Sequence, residues 1–182
     1  MRLTEKTIRQ HTLYEGRIIN LRSDEAELPN GEPALREVVE HPGGVCVAAL
    51  TPERELLMVR QYRYPFAAET LELPAGKLDG RDADPLEAGK RELQEETGAE
   101  AQTWRSLGCL YPTPGICTEV DHLYLATDLT FGDSHPDEDE FLEVLRLPLA
   151  EAVRRVMNGQ LPDAKTQIGI LKVWTLAQSG EI

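Results

Sequence analysis

The chain has 182 residues, 41% of them hydrophobic and 28% charged, and its formal net charge is −13 at pH 7. This composition is that of an ordinary globular protein. No apolar run approaches the roughly 20 residues that span a bilayer, and the opening MRLTEKTIRQ has no apolar segment typical of a secretion signal. The acidic charge argues against nucleic acid as the partner, because duplex binding needs a basic surface. It permits a small anionic ligand if divalent cations lie between that ligand and carboxylates.

The first 42 residues predict a small antiparallel β extension. The segment TLYEGRIINLRSDEAEL is followed by the turn signal PNGEP and then by ALREVVEH. His41-Pro42-Gly43-Gly44 marks the boundary to a second domain over residues 43–182. Two or three short strands are too small to form a hydrophobic core, so alternating residues such as Leu13, Ile18 and Leu21 must bury against another surface. That surface is either the rest of the same chain or a partner subunit.

The rest of the chain predicts an α+β fold, in which a mixed sheet carries helices on its faces. Residues 70–85 are expected to be mostly loop, and helices are expected at 85–97, at 149–158 and over AKTQIGILKVWTLAQ. The predicted strands are VCVAALT, ELLMVRQYR, residues 103–111, residues 120–128 and FLEVLRLP.

The helix over 85–97 has well-defined ends. Asp84 is the expected N-cap, Pro85 takes the first helical position, and Glu87 completes a capping-box pattern. Gly98 suits a left-handed C-terminal cap.

This helix carries RELQEETG, in which Glu92 faces both Glu95 and Glu96. Each like-charge pair at that spacing costs about a few tenths of a kcal/mol. Two interpretations follow, a solvated acidic face or a set of hard oxygen ligands for Mg²⁺.

The segment GKLDGRDADPLEAGKRELQEETGA, residues 76–99, resembles the Nudix box. The match runs residue for residue from Arg91 to Gly98. The first half departs from the pattern by one inserted residue, which leaves Asp82 or Ala83 where the family has its first glutamate. The resemblance implies a Nudix-type α/β/α sandwich with a mixed sheet, plus the N-terminal antiparallel β extension.

The resemblance also implies two or three Mg²⁺ or Mn²⁺ ions. Glu92 and Glu96 would be the principal ligands, supported by Glu95 and by the backbone carbonyl of Ala75. Arg91 would orient a carboxylate, and its alternative role is a surface ion pair on the helix.

Most of the chain is similar to bacterial ADP-ribose pyrophosphatases, through YEGRIINL, REVVEHPG, VRQYR, LELPAGK, PTPG and HPDEDEFLEV. This likeness implies hydrolysis of ADP-ribose to AMP and ribose 5-phosphate. Glu138 or Glu140 in the acidic loop would be catalytic, with Glu72 and Asp79 as weaker candidates near the box. The implied substrate-binding residues are Arg17, Ile18, Arg36, Glu37, Arg63, Pro114 and Gly115.

Two rival functions are compatible with the same residues. One is cleavage of another nucleoside diphosphate derivative, such as GDP-mannose, another nucleotide sugar, FAD or NADH. The other is a catalytically silent domain that binds ADP-ribose.

The sequence also bears on the assembly and the location of the chain. The likeness implies a homodimer in which the N-terminal strands complete the partner's adenine site. Three widely spaced cysteines (Cys46, Cys109 and Cys117) without a CxxC motif suggest reduced thiols and a cytoplasmic location.

Overall fold

The computed structural model describes residues 3–78, 84–136 and 141–182. The chain divides into two compact units. The N-terminal unit comprises Met1–Gly43 and Tyr111–Val120, and the main unit comprises Gly44–Leu110 and Asp121–Ile182. Among the described residues, no helix is both long and apolar enough to cross a membrane.

The N-terminal unit is built on a three-stranded antiparallel sheet in the order β1-β2-β3. The predicted turn signal lies between β2 and β3, where Gly31 has a positive φ of 88°. β1 starts earlier than the sequence pattern indicated, and an irregular segment at residues 16–19 separates it from β2. The strands are β1 (Lys6–Glu15), β2 (Asn20–Glu27) and β3 (Pro33–Glu40).

Residues 111–120 join the N-terminal unit through the end of β3. The Val39 amide donates to the carbonyl of Ile116 at 2.7 Å, and the Thr118 amide donates to the carbonyl of Val39 at 2.9 Å. The His41 amide donates to Thr118 Oγ1 at 3.0 Å. Local patterns do not reveal such pairing between segments that lie some 75 residues apart.

The main unit contains a mixed four-stranded sheet and an antiparallel three-stranded sheet, in the orders β7-β4-β9-β8 and β10-β5-β6. β4 pairs in parallel with β9 and antiparallel with β7. A short 3-10 helix, Tyr64–Phe66, follows β5. The strands are β4 (Gly44–Ala49), β5 (Glu55–Arg63), β6 (Ala68–Glu72), β7 (Ala75–Lys77), β8 (Ala99–Leu110), β9 (Asp121–Phe131) and β10 (Leu142–Pro148).

In the described part of the main unit, three helices pack on the sheets: α1 (Pro85–Thr97), α2 (Leu149–Met157) and α3 (Ala164–Ser179). These bounds confirm the predicted helices. β4 is buried along its whole length, because its alternate residues belong to two different hydrophobic clusters. Cys46 and Ala48 pack in the cluster that contains α2 and α3 residues, whereas Val45 and Val47 pack in the cluster that contains α1 residues. The predicted α/β/α sandwich is therefore confirmed.

The expectation that residues 70–85 are mostly loop was wrong for two short stretches. Glu72 closes β6 and Ala75–Lys77 forms β7, which pairs with β4. A three-residue strand carries too little alternation to be recognised from its own sequence, and its partner strand stabilises it.

The two ends of α1 hold neighbouring segments in place. Asp84 accepts from the amides of Leu86 and Glu87, at 2.8 and 3.1 Å. The Glu87 side chain does not accept from the Asp84 amide, as a capping box requires. It accepts from Lys90 Nζ instead, at 2.7 Å. At the other end Gly98 takes the left-handed conformation, with φ 68°.

The Gly98 cap also packs closely against residues 132–135. The Gly132 amide donates to the Gly98 carbonyl at 2.8 Å, and the His135 amide donates to the Glu95 carbonyl at 2.9 Å. A Cβ on Gly98 would lie 2.4 Å from the carbonyl oxygen of Gly132 and 3.0 Å from the amide nitrogen of Ser134.

This packing predicts that Gly98→Ala destabilises the protein more than Gly180→Ala does. Both glycines are left-handed helix caps, with φ 68° and 73°, but a Cβ on Gly180 would meet no atom within 4 Å. Gly180→Ala should cost about 1 kcal/mol of unfolding free energy through the backbone alone. Gly98→Ala should cost about 2–4 kcal/mol, because the collision adds to the same strain. Urea unfolding measures both, and equal losses would contradict the packing argument.

Candidate active site

The predicted acidic residues of α1 do not share one environment. Glu92 is 8% exposed and Glu96 only 2% exposed, while Glu95 is half-buried. Glutamates are rarely buried unless they are paired, because removing a carboxylate from water is costly. Burial of two glutamates one helical turn apart excludes the solvated acidic face as their explanation.

Both buried glutamates lie against the backbone of β7. The Ala75 amide donates to Glu96 Oε2 at 3.0 Å. A Cβ added to Gly76 would lie 1.9 Å from Cδ of Glu92, so the Glu92 carboxylate occupies the space a side chain would fill. Ala75 and Gly76, which are consecutive in β7, therefore lie against Glu96 and Glu92, which are four residues apart on α1.

Arg91 bridges Glu92 and Glu95, two carboxylates of the box. Its Nη1 lies 2.8 Å from Glu92 Oε1 and 2.7 Å from Glu95 Oε2. Its side chain is mostly buried. Arg91 thus offsets the repulsion between Glu92 and Glu95, two glutamates on one helix.

The donor set at β7 fits a hard divalent cation. Carboxylate and backbone oxygens are the ligands that such ions take, and Glu92 and Glu96 bring two carboxylates to the same short strand. Within residues 3–78, 84–136 and 141–182, no three His, Cys, Asp or Glu side chains converge as a metal cluster. Ala75 meets Glu96 through its amide, and the role expected for its carbonyl remains a prediction.

Arg63 lies in a partly buried charge network that local sequence patterns do not reveal. Its Nε and Nη2 each donate to a Glu72 oxygen at 2.8 Å. Thr70 Oγ1 donates to Glu72 at 2.7 Å and Lys165 Nζ donates to it at 2.9 Å. Lys165 also bonds Asp163 Oδ1 at 2.7 Å.

The network strongly favours the ionised form of Glu72. Burial by itself would raise the pKa of Glu72, but the hydrogen bonds from Arg63 and Thr70 and the charge of Lys165 outweigh it and lower the pKa to about 2. Sequence spacing could not have identified Lys165, which lies 93 residues from Glu72.

The other predicted substrate-binding residues belong to the N-terminal unit. Arg17 and Ile18 lie in the segment between β1 and β2, while Arg36 and Glu37 lie on β3. Arg36 forms a two-bond ion pair with Glu5, at 2.6 and 2.8 Å. Pro114 and Gly115 lie in the stretch that pairs with the end of β3.

Four acidic candidates fall outside the described residues: Asp79, Asp82, Glu138 and Glu140. Their predicted roles therefore stay predictions. The described chain reaches Pro136 on one side of the acidic loop and resumes at Phe141.

Comparison with known proteins matches the chain to two family models and to a solved structure. The family model of the NUDIX domain matches residues 40–167, and that of the nucleoside diphosphate sugar hydrolase N-terminal domain matches residues 5–39. A crystal structure of an ADP compounds hydrolase shares the fold, with a TM-score of 0.86 over 100% of both chains at 23% identity.

Two relatives align along nearly the whole chain. A methanol dehydrogenase activator from Bacillus methanolicus is 40% identical over 168 residues, which cover 91% of this chain and 90% of the relative. An ADP-ribose pyrophosphatase from Bacillus subtilis (strain 168) is 39% identical over 170 residues, covering 92% and 91%. Together with the buried glutamates of α1, these matches show that the chain belongs to the Nudix family of hydrolases.

Proposed function

We propose that the protein hydrolyses the diphosphate of ADP-ribose to AMP and ribose 5-phosphate, with Mg²⁺ or Mn²⁺ as cofactor. The observation that carries this proposal is the pair of buried carboxylates, Glu92 and Glu96, held against the backbone of β7. ADP-ribose as the substrate is supported by the Bacillus subtilis relative, which bears the name ADP-ribose pyrophosphatase.

Two or three divalent ions, when bound, would polarise the diphosphate and lower the pKa of an attacking water. Glu92 and Glu96 would hold them, with Glu95 and the Ala75 carbonyl in support. Arg91 bonds both Glu92 and Glu95 and so keeps those carboxylates in place. Arg63, through the part of its guanidinium not bonded to Glu72, would contact a substrate phosphate. Glu138 or Glu140 would accept the proton that the attacking water releases.

GDP-mannose is the second candidate substrate. A GDP-mannose pyrophosphatase from Yersinia enterocolitica is 32% identical over 142 residues and covers 72% of this chain. The shared chemistry is a diphosphate joined to a nucleoside on one side and a sugar on the other. Discrimination would therefore lie in contacts to the base and to the terminal sugar and not in the acids of α1.

The direct test is an assay of purified protein on ADP-ribose, GDP-mannose, FAD and NADH, with and without Mg²⁺. We expect AMP and ribose 5-phosphate from ADP-ribose at the highest kcat/KM, with turnover only when the metal is present. A higher kcat/KM for GDP-mannose would reassign the substrate. Binding of ADP-ribose with no turnover of any compound would favour the silent binding domain.

Replacing Glu96 tests the assignment of the metal ligands. Glu96→Gln keeps an oxygen that can accept from the Ala75 amide but removes the charge, so the fold should persist while kcat falls about 100-fold or more. Mg²⁺ titration by calorimetry should show weakened binding. The matched control is Glu87→Gln on the same helix, where the exposed carboxylate pairs with Lys90. Near-normal turnover of Glu96→Gln would refute the assignment.

We further propose that the chain forms a homodimer through residues 1–42 in the cytoplasm, where thiols such as that of the exposed Cys109 stay reduced. β1 is an edge strand whose ten residues are all exposed. Ile8 and Leu13 on it are 54% and 52% exposed and lie at irregularities of its pairing with β2. Apolar side chains on an open edge favour pairing with another chain. Across the dimer, Arg17, Ile18, Arg36 and Glu37 would hold the adenine side of the substrate bound to the partner.

The dimer proposal predicts the effect of charges on β1. The double variant Ile8→Asp/Leu13→Asp should be a monomer by light scattering, should keep its fold because both sites are exposed, and should lose about 10-fold or more in affinity for ADP-ribose. Its affinity for Mg²⁺ should not change, since the glutamates of α1 are untouched.

The matched control is Met157→Lys, which also charges an exposed apolar site, here at the end of α2. We expect this variant to behave as the wild type in both assays. A monomeric wild-type protein, or a monomeric double variant with unchanged affinity for ADP-ribose, would contradict the proposal.

A further inference from the structure

The first turn of α3 carries a lysine in a place that disfavours a cation. Asp163 caps the helix by accepting from the Thr166 amide at 2.9 Å, and Lys165 follows two residues after the cap. The positive end of the helix dipole repels a cation there. The Lys165 side chain is also only 19% exposed, and burial disfavours its charge. Helix stability therefore does not explain Lys165.

The partners of Lys165 do explain its position. Its ammonium bonds both Glu72 and Asp163, and the side chain of Glu72 is 3% exposed. Glu72 in turn receives two bonds from Arg63. Lys165 therefore reaches Arg63 through a single shared carboxylate, and Glu72 is held from two sides.

The net charge of this network determines whether the surroundings of Arg63 attract or repel an anionic diphosphate. Arg63, Lys165, Glu72 and Asp163 together sum to zero. The pKa of Arg63 is raised, chiefly by its hydrogen bond to Glu72, with smaller contributions from the charges of Asp163 and Glu96. With Glu96 counted as well, three carboxylates act on Arg63, and the Lys165 ammonium offsets part of their charge. Without the charge of Lys165 the same group would be net negative and would repel an anionic substrate.

Thr166 adds a second link from α3 to the same segment. Its Oγ1 accepts from the Leu73 amide at 2.9 Å, and both residues are buried. Two residues further on, the Ala75 amide donates to Glu96. The first turn of α3 thus holds Glu72 and Leu73, while α1 holds Ala75 and Gly76.

We propose that Lys165 is a positioning residue for substrate binding, which anchors Glu72 so that Glu72 orients Arg63 and which offsets part of the negative charge around Arg63. The inference rests on the proposed function in one respect, that Arg63 contacts the substrate diphosphate. Under this proposal α3, which lies outside the Nudix box, contributes to the affinity for the diphosphate.

The test compares Lys165→Met with Lys172→Met, a control on the same helix whose ammonium bonds the Leu107 carbonyl. We measure KM and kcat for ADP-ribose, and Kd for ADP by calorimetry with Mg²⁺ present. Lys165→Met should raise KM and Kd about 10- to 100-fold, the range for one charge-assisted hydrogen bond, and should change kcat less than about threefold. Lys165→Arg should recover most of the affinity, and Lys172→Met should leave it unchanged.

The double variant Glu72→Gln/Lys165→Met keeps the proposal testable if Lys165→Met does not fold. It removes both charges, so it should regain stability, yet its Kd for ADP should stay raised because Arg63 has lost its carboxylate partner. Unchanged Kd in a folded Lys165 variant, an equal rise in Lys172→Met, or a loss confined to kcat would overturn the proposal. A wild-type protein that binds ADP but does not cleave ADP-ribose would refute the proposed activity alone, since Kd still decides the role of Lys165.

Discussion

The burial of two carboxylates on one helix is the constraint on which the main unit depends. Glu92 and Glu96 are almost completely removed from water, an arrangement that persists only when compensating groups surround the charges. β7 provides the Ala75 amide and the open space at Gly76, and Arg91 provides a cation. The position of α1 relative to β7 therefore follows from electrostatics as much as from apolar packing.

The segment from Glu72 to Gly76 is where the elements of the main unit meet. β4 separates two hydrophobic clusters, with α1 residues in one and α2 and α3 residues in the other. Both sides nevertheless contact this short segment. Lys165 and Thr166 hold its first two residues, and Glu96 and Glu92 hold its last two. Metal binding and phosphate binding, as proposed, would thus share one stretch of backbone held by two helices.

The N-terminal unit has a different physical character. Its sheet exposes the whole of β1, and its ion pairs, such as that of Arg9 on β1 with Glu25 on β2, link neighbouring strands to each other. A three-stranded sheet with an exposed apolar edge gains stability from a partner. Residues 5–39 of this unit match the family model of the nucleoside diphosphate sugar hydrolase N-terminal domain.

The sequence by itself determined the elements whose signals are local. The cap at Asp84, the proline at residue 85 and the cap at Gly98 define α1, and RELQEETG identifies the family through residues that are close along the chain. Only the tertiary structure decided the rest. β7 exists because β4 pairs with it, residues 111–120 join the N-terminal unit through Val39, and Glu72 meets Lys165 across 93 residues. Propensity and periodicity act over a few residues, whereas these contacts arise when the folded chain brings distant segments together and buries charges that must then be paired.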